Sequence, residues 1–571
     1  MFILFPAVLR VCLGRIPVET SYSERALFSH LVLVDVYLLF AVAAVLVFLY
    51  NFLEIHFLRL LASGFRGDPV TLVYNAASEV HRSVAAACRV INGRYSPTPW
   101  LPSSHLQTAF LSFFGRPPDF SYKRELFCTV DGGTIALDWL RNRDVGAVSA
   151  VVDEAGVAED RTPILIVIPG LTSDSSAPYI KHIVFKMASG GWNVVVSNHR
   201  GLGGISVTSD TFYNAGWTED LRKIVEYLHQ RYSKAPLFLV GTSIGANILV
   251  KYLGEESDRI PISGAAAICC PWDLLICDRF INRRLVQKLY DRVLAIGLQG
   301  YAQLHEGILS RLVNWEGVQK SRSVRDFDNH ATRILGKYET VDTYYRRNSG
   351  VNFIGGIAIP LLCISALDDP VCTKEAIPID ECRLNPNIVL ALTQHGGHLA
   401  YFEGMTASSV WWVRAVDEFF GRLLSSPLLS QKAARQKPSN SISEPLMDEG
   451  PYLTVSQDGM VAPAPGDQAG CVVSNVPIQH AADVANNDES LSLDEQTVKA
   501  EDSQNLTRVP TVNPGTDTTR RTDRLLRYNR MSVWLLAYIA VVTTWPVVGS
   551  ALTVFAKRRL KNGVLRELFR R

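Results

Sequence analysis

One stretch near the middle of the chain constrains everything around it. Pro236 and a short apolar run at 237–240 lead into Gly241-Thr242-Ser243-Ile244-Gly245, and an apolar helical pattern follows to about Gly254. The run reads as a buried parallel strand, because it is unbroken and short and is closed by a turn signal. The turn that joins strand to helix is too sharp for ordinary backbone. Ser243 must adopt a strained conformation, and the positions two residues either side must lack bulk, which Gly241 and Gly245 supply. The helix that follows points its first amides toward Ser243, where they favour negative charge. A five-residue G-x-S-x-G is weak alone; set between a strand and a helix, it marks Ser243 as a candidate nucleophile.

The surroundings of that stretch indicate how the rest is arranged. Between 97 and 424 strand-like and helix-like segments alternate. Strands are predicted at 125–130 and 134–139, joined by Asp131-Gly132-Gly133, and then at 164–168, 193–197, 237–240, 263–269, 360–365 and 388–393. Helices are predicted at 177–188, 217–232 and 408–424. Strands alternating with helices imply a parallel sheet covered on both faces. An opening hairpin that leads into such a sheet suggests an α/β-hydrolase plan, with a mostly parallel sheet of eight strands. Residues 271–348 carry helical periodicity between two strands, where a lid would sit.

The partners of Ser243 should follow in chain order, acid and then histidine, in loops after later strands. After the strand ending at Ser365 come Asp368 and Asp369, and after the strand ending at Thr393 come His395 and His398. Asp369, followed by Pro370, fits the acid position better than Asp368, which would cap or brace the loop. Gly396-Gly397 let the chain swing His398 inward, which favours it over His395. His398 would take the Ser243 proton while the acid holds the imidazole's tautomer. Two backbone N–H groups would receive the oxyanion: Ile244, just after the serine, and Leu171 in the Pro169-Gly170-Leu171-Thr172 loop. His199 and Arg200 fall outside the serine–acid–histidine order and read as loop braces.

The ends are different. Residues 36–53 hold no charge across 18 positions and are long enough to cross a bilayer, which makes 1–60 an N-terminal membrane anchor. The first 13 residues are apolar but too short to span. Residues 533–556 form a second uncharged stretch, flanked by Arg and Lys on both sides, within a C-terminal membrane segment at 523–571. Membrane attachment at both ends follows, in an endomembrane or a plastid membrane. Between them, 425–522 is rich in Ser, Asp, Asn, Pro and Gln and reads as a disordered tether. Its Asn505-Leu506-Thr507 sequon is of a kind that often arises by chance.

Charge and cysteine usage remove other classes. The 57 basic and 55 acidic residues nearly cancel, and no nucleic-acid motif gathers them. The 10 cysteines show no C-x-x-C pair and no zinc spacing, which fits a reduced compartment and no metal. The chemistry drawn above needs no organic cofactor.

Several segments together resemble the membrane-anchored α/β-hydrolase-domain family of esterases and lipases. These are Pro99-Trp-Leu-Pro-Ser-Ser-His-Leu-Gln-Thr108, Asn198-His-Arg-Gly201, Gly241-Thr-Ser-Ile-Gly-Ala-Asn247, Arg325-Asp-Phe-Asp328, Tyr344-Tyr345, Leu367-Asp-Asp-Pro370 and Gly396-Gly-His398. The family's plant members, embryogenesis-associated hydrolases, are the closest in feel. The resemblance spans roughly 97–424 and implies a triad of Ser243, Asp369 and His398 that hydrolyses short-chain esters or monoacylglycerol-type lipids at a membrane. It does not anticipate the long tether or the second apolar stretch. Alcohol acyl transfer is the lesser reading, since Glu403 stands five residues after His398 where the acyltransferase pattern has Asp. A scaffold with decayed activity is a third reading, disfavoured by the intact serine, acid and histidine.

Overall fold

The computed structural model describes residues 67–101, 103–145 and 161–429, together with the backbone of a short hairpin at Leu453–Val455 and Val461–Pro463. Both apolar stretches expected to attach the chain to a membrane, the N-terminal segment and the sequon lie outside the described residues. Among the described residues no helix is long and apolar enough to cross a membrane. The hairpin falls within the expected tether, in a unit of its own at 435–515. Leu453, Thr454 and Val455 suit a strand.

The main unit is built on one mixed sheet. Its strands are β1 (Thr71–Tyr74), β2 (Lys123–Cys128), β3 (Thr134–Leu140), β4 (Ile164–Ile168), β5 (Asn193–Ser197), β6 (Leu237–Thr242), β7 (Ile262–Ile268), β8 (Leu361–Ala366) and β9 (Ile388–Thr393). Across the sheet they run β1-β9-β8-β7-β6-β4-β5-β3-β2. The six from β9 to β5 are parallel, and β1, at one edge, and the hairpin β2–β3, at the other, attach through antiparallel pairs. The sheet therefore has nine strands rather than the eight expected. The extra one is β1, which lies ahead of the predicted start of the domain at 97.

Helices cover both faces because alternate residues of each central strand point to opposite sides. In β4, Leu165 and Val167 enter one core, while Ile164, Ile166 and Ile168 enter the other. The helices in chain order are α1 (Ser104–Phe113), α2 (Pro178–Ser189), α3 (Glu219–Arg231) and α4 (Ile244–Glu256). Then come the lid helices α5 (Leu274–Ile281), α6 (Leu285–Leu304), α7 (Glu306–Leu312), α8 (Trp315–Lys320), α9 (Val324–Phe327) and α10 (Val341–Asn348), and last α11 (Trp411–Leu424). The first core takes Ile180, Ile183 and Val184 of α2 with Trp412, Val416 and Phe419 of α11. The second takes Ile224 and Leu228 of α3 with Leu249 and Leu253 of α4. Each such side chain, fully removed from water, contributes about 1.5–3 kcal/mol.

The segment of helices α5–α10 leaves the sheet after β7 and returns before β8. Its two ends are stitched to each other: the Val351 amide donates to Trp272 O (3.0 Å), and the Leu274 amide to Ser349 Oγ (3.0 Å). Asn247 of α4, fully buried, fastens the same junction. Its Nδ2 donates to Asn348 O (2.8 Å) and Ala215 O (2.9 Å), and its Oδ1 accepts from the Gly350 amide (2.8 Å).

Candidate active site

Strand β6 ends at Thr242 and α4 begins at Ile244, so the whole reversal falls on Ser243, at φ 52° and ψ −122°. The Ser243 amide is held by Ile268 O of β7 (2.9 Å). The flanking glycines are dictated by contact. A Cβ on Gly241 would lie 2.4 Å from Gly245 O, and one on Gly245 would lie 2.4 Å from Pro169 O and 2.5 Å from Ile168 O. These are backbone atoms of the elbow and of the neighbouring strand, which cannot move aside.

His398 reaches the serine from the loop after β9. Its Nε2 is 3.0 Å from Ser243 Oγ and its Nδ1 is 2.9 Å from Asp369 Oδ2. Asp369 is buried in the loop after β8. Its other oxygen accepts the amides of Val371 (2.8 Å) and Cys372 (2.9 Å), so the carboxylate's orientation is set by backbone. With both Asp369 oxygens acting as acceptors, the His398 proton belongs on Nδ1, which leaves Nε2 as the acceptor for the serine hydroxyl.

The neighbouring acid and histidine form a separate pair. Asp368 Oδ2 meets His395 Nδ1 at 3.1 Å, and its Oδ1 accepts the Gly397 amide at 3.0 Å. They brace the turn that presents His398. Gly397 takes φ 60°, and a Cβ there would lie 2.7 Å from both Ser104 O and Thr108 Oγ1 of α1. That closeness lets Thr108 Oγ1 accept the His398 amide (3.0 Å) while donating to Ser104 O (2.8 Å). Helix α1 thus steadies the histidine from behind, a role its sequence does not advertise.

The expected oxyanion donors lie beside the serine. In the loop after β4, the Gly170 amide is committed to Tyr179 Oη and the Thr172 amide to Tyr213 Oη, both at 3.1 Å. The Leu171 amide stands between them, with no hydrogen-bond partner among the described residues. Ile244 opens α4, where the first amides of a helix have no intrahelical acceptor. Both residues border the cavity described below. His199 braces the same loop: its Nε2 donates to Pro169 O (3.0 Å), and its ring stacks on Tyr213 with centroids 4.3 Å apart. Burial lowers its pKa, which favours the neutral ring that this stacking suits. Arg200, 2% exposed, bridges Asp131 (2.6 Å) and Asp220 (2.6 Å) and so ties the β2–β3 turn to α3.

Ser243 and His398 open into a cavity of about 150 Å³ roofed by the lid. Its wall is mostly apolar, with Leu274, Ile281, Leu294, Leu298 and Phe327 supplied by the lid helices. Cys269, Asp369 and His398 bring ligand-type atoms within 4.8 Å of one another. Burial pushes the Cys269 thiol well up, which keeps it protonated, and Asp369 and His398 are already bonded to each other. This is the geometry of a proton relay. The eight cysteines among the described residues are all free thiols.

Comparison with known proteins bears on this arrangement. Residues 163–405 match the family described as the alpha/beta hydrolase fold. The embryogenesis-associated protein EMB8 of Picea glauca is 35% identical over 371 residues, which cover 64% of this chain and 77% of that protein. Phospholipase ABHD3 of Mus musculus is 34% identical over 318 residues, 56% of this chain and 75% of its own. A monoacylglycerol lipase of Saccharomyces cerevisiae is 30% identical over 353 residues, 56% of this chain and 78% of its own.

Proposed function

The chain belongs to the α/β-hydrolase family of esterases and lipases, and from that premise we propose that it hydrolyses short-chain esters or monoacylglycerol-type lipids through Ser243, His398 and Asp369. The observation that carries the reading is the continuous relay from Ser243 Oγ to His398 Nε2 (3.0 Å) and from His398 Nδ1 to Asp369 Oδ2 (2.9 Å).

Ser243 Oγ attacks the ester carbonyl as His398 Nε2 takes its proton, and the oxyanion is received by the Leu171 and Ile244 amides. The imidazolium returns the proton to the departing alcohol, leaving an acyl-serine. Water then attacks the acyl carbonyl as the same nitrogen takes its proton, and the imidazolium passes that proton to Ser243 Oγ as the acid leaves. Asp369 keeps its hydrogen bond to His398 Nδ1 and so orients and stabilises the imidazolium. The apolar lid wall supports an acyl chain as the part of the substrate admitted. The uncharged stretches at 36–53 and 533–556 support attachment to a membrane, which resistance of the full chain to carbonate extraction would test.

Labelling with a fluorophosphonate probe tests the nucleophile. The wild-type chain should label, and Ser243→Ala should not. Folded wild-type protein that fails to label would overturn the proposal. Products from a monoacylglycerol and short-chain ester panel, with ethanol added in one arm, separate hydrolysis from acyl transfer.

A further inference from the structure

The segment Arg325-Asp326-Phe327-Asp328 lies in the lid, far along the chain from the serine, and its four side chains do different work. Arg325 donates to Asp278 (2.8 Å) and to Asp342. Asp326 closes a capping box with Ser323 at the start of α9. Phe327 and Asp328 both line the cavity that contains Ser243.

Asp278 and Asp328 are both buried carboxyl groups lining this mostly apolar chamber, and Asp328, 6% exposed, is the one with no ion pair among the described residues, whereas Asp278 is paired with Arg325. Its Oδ1 accepts from Thr332 Oγ1 (2.5 Å) and its Oδ2 from Tyr345 Oη (2.7 Å). Asp328 and Thr332 bound a single π-helical turn, Asp328–Thr332, and both line the cavity. Such turns break regular helix at some cost and occur frequently at functional sites. Both donors are neutral hydroxyls, so neither offsets the negative charge. The nearby guanidinium of Arg325 is engaged by Asp278 and Asp342. Burial pushes the Asp328 carboxyl up to about 6, against the hydrogen bonds from Thr332 and Tyr345, and the charges of Asp278 and Asp291 add to the rise. When ionised, this carboxylate has no ion-pair partner among the described residues, an expensive arrangement unless something that enters the cavity completes it.

A carboxylate accepting two hydrogen bonds retains lone pairs for more. The rings of Phe212, Tyr213, Phe327, Tyr344 and Tyr345 also border the cavity, and aromatic rings are side chains that favour a nearby cation. We propose that Asp328 is a specificity-determining residue that receives a hydrogen-bond-donating cation, a primary ammonium group, carried by the ester substrate. Thr332 and Tyr345 hold the carboxylate in place for it. The same charge repels esters that carry a carboxylate at that position. This inference rests on the reading of Ser243 as the nucleophile of an esterase.

The test uses the full chain and three soluble esters of equal length that end in an ammonium, a methyl or a carboxylate group. For the wild type, kcat/KM should be about tenfold or more higher for the ammonium ester than for the methyl ester, and lowest for the carboxylate, as a charge-assisted hydrogen bond implies. In Asp328→Asn the ammonium-to-methyl ratio should collapse toward one, with the change mostly in KM. Inhibition of the wild type by hexylamine, hexanol and hexanoate needs no variant, and hexylamine should be the strongest inhibitor. A wild type that prefers the methyl ester, a ratio unaltered in Asp328→Asn, or inhibition by hexanoate equal to that by hexylamine would each overturn the inference. Fluorophosphonate labelling of Ser243 separates the two claims. A labelled enzyme with no ammonium preference sinks only this inference, whereas an unlabelled folded enzyme sinks the esterase reading beneath it.

Discussion

Replacing Asp369 by Asn should cost far more than replacing Asp368, although the two carboxylates are adjacent in sequence. In the native site one Asp369 oxygen accepts two backbone amides, from Val371 and Cys372, and the other accepts Nδ1–H of His398. An Asn side chain has one acceptor oxygen and one donor nitrogen. The two amides claim the oxygen, because turning the NH2 group toward them would leave both donors unsatisfied, at about 1–3 kcal/mol each. The NH2 then faces His398 Nδ1, which must become an acceptor, and the ring proton moves to Nε2. A nitrogen that already carries a proton cannot take one from Ser243. In serine proteases the same change of tautomer lowers kcat about 10⁴-fold, equivalent to about 5 kcal/mol of barrier. Asp368→Asn, by contrast, disturbs only the Gly397 amide and His395, and about 1 kcal/mol of positioning predicts a loss below about tenfold. The assay is kcat on a short-chain ester, normalised to active sites counted by fluorophosphonate labelling and repeated across pH 6 to 9. Retention of wild-type kcat within about tenfold in Asp369→Asn, with a larger loss in Asp368→Asn, would refute this assignment of roles.

Three further outcomes follow from packing and charge. Gly245→Ala sets a methyl group against Pro169 O and Ile168 O and should destabilise the chain by about 1–3 kcal/mol or more, seen as a lower Tm, with loss of labelling at Ser243. Arg200→Ala strands Asp220 without its partner inside the main unit and should cost about 3 kcal/mol or more in urea unfolding. Asp291 in α6, which accepts the Val324 amide, is raised to about 6, chiefly by burial and further by Asp278 and Asp326, against the opposing pull of Arg292. The unfolded carboxyl ionises first as pH rises, so this group's contribution to stability is full below about 4 and is lost as pH climbs through about 6. Asp291→Asn keeps an acceptor for the Val324 amide and removes that dependence. The variant should gain on the wild type between pH 4 and pH 7 by about 3 kcal/mol, measured by denaturant unfolding at several pH values. Equal pH dependence in the two proteins would count against the burial argument.

How much of this was legible in the sequence depends on how local each constraint is. Gly241, Ser243 and Gly245 declare themselves because all three fall within five residues between an apolar strand and an apolar helix. Asp369 and His398 could be read because each follows an unbroken apolar strand, and chain order supplied the rest. Strand β1 could not be read. It has four residues, only Val73 is fully buried, and its pairing partner β9 lies more than three hundred positions away. Tyr179 and Tyr213 were equally silent, since each acts by accepting an amide of the loop after β4 that folding brings near. Asn247 stood in a recognised motif, yet its work as a three-way fastener between α4 and the lid junction appears only when Ala215, Asn348 and Gly350 are in place. The lid was predicted as helical, but the inward direction of Asp328 rests on a π-helical turn that periodicity does not reveal.

The short seam at Trp272–Val351 and Leu274–Ser349 has a bearing on how such proteins diversify. Because the two strands of chain that leave and re-enter the sheet are tied to each other and to Asn247, the eighty or so residues between them begin and end at one place in the fold. A graft cut at that seam should transplant the choice of ester while leaving the bond-breaking apparatus untouched. Changes accumulating inside it can retune the enzyme without the sheet having to accommodate them.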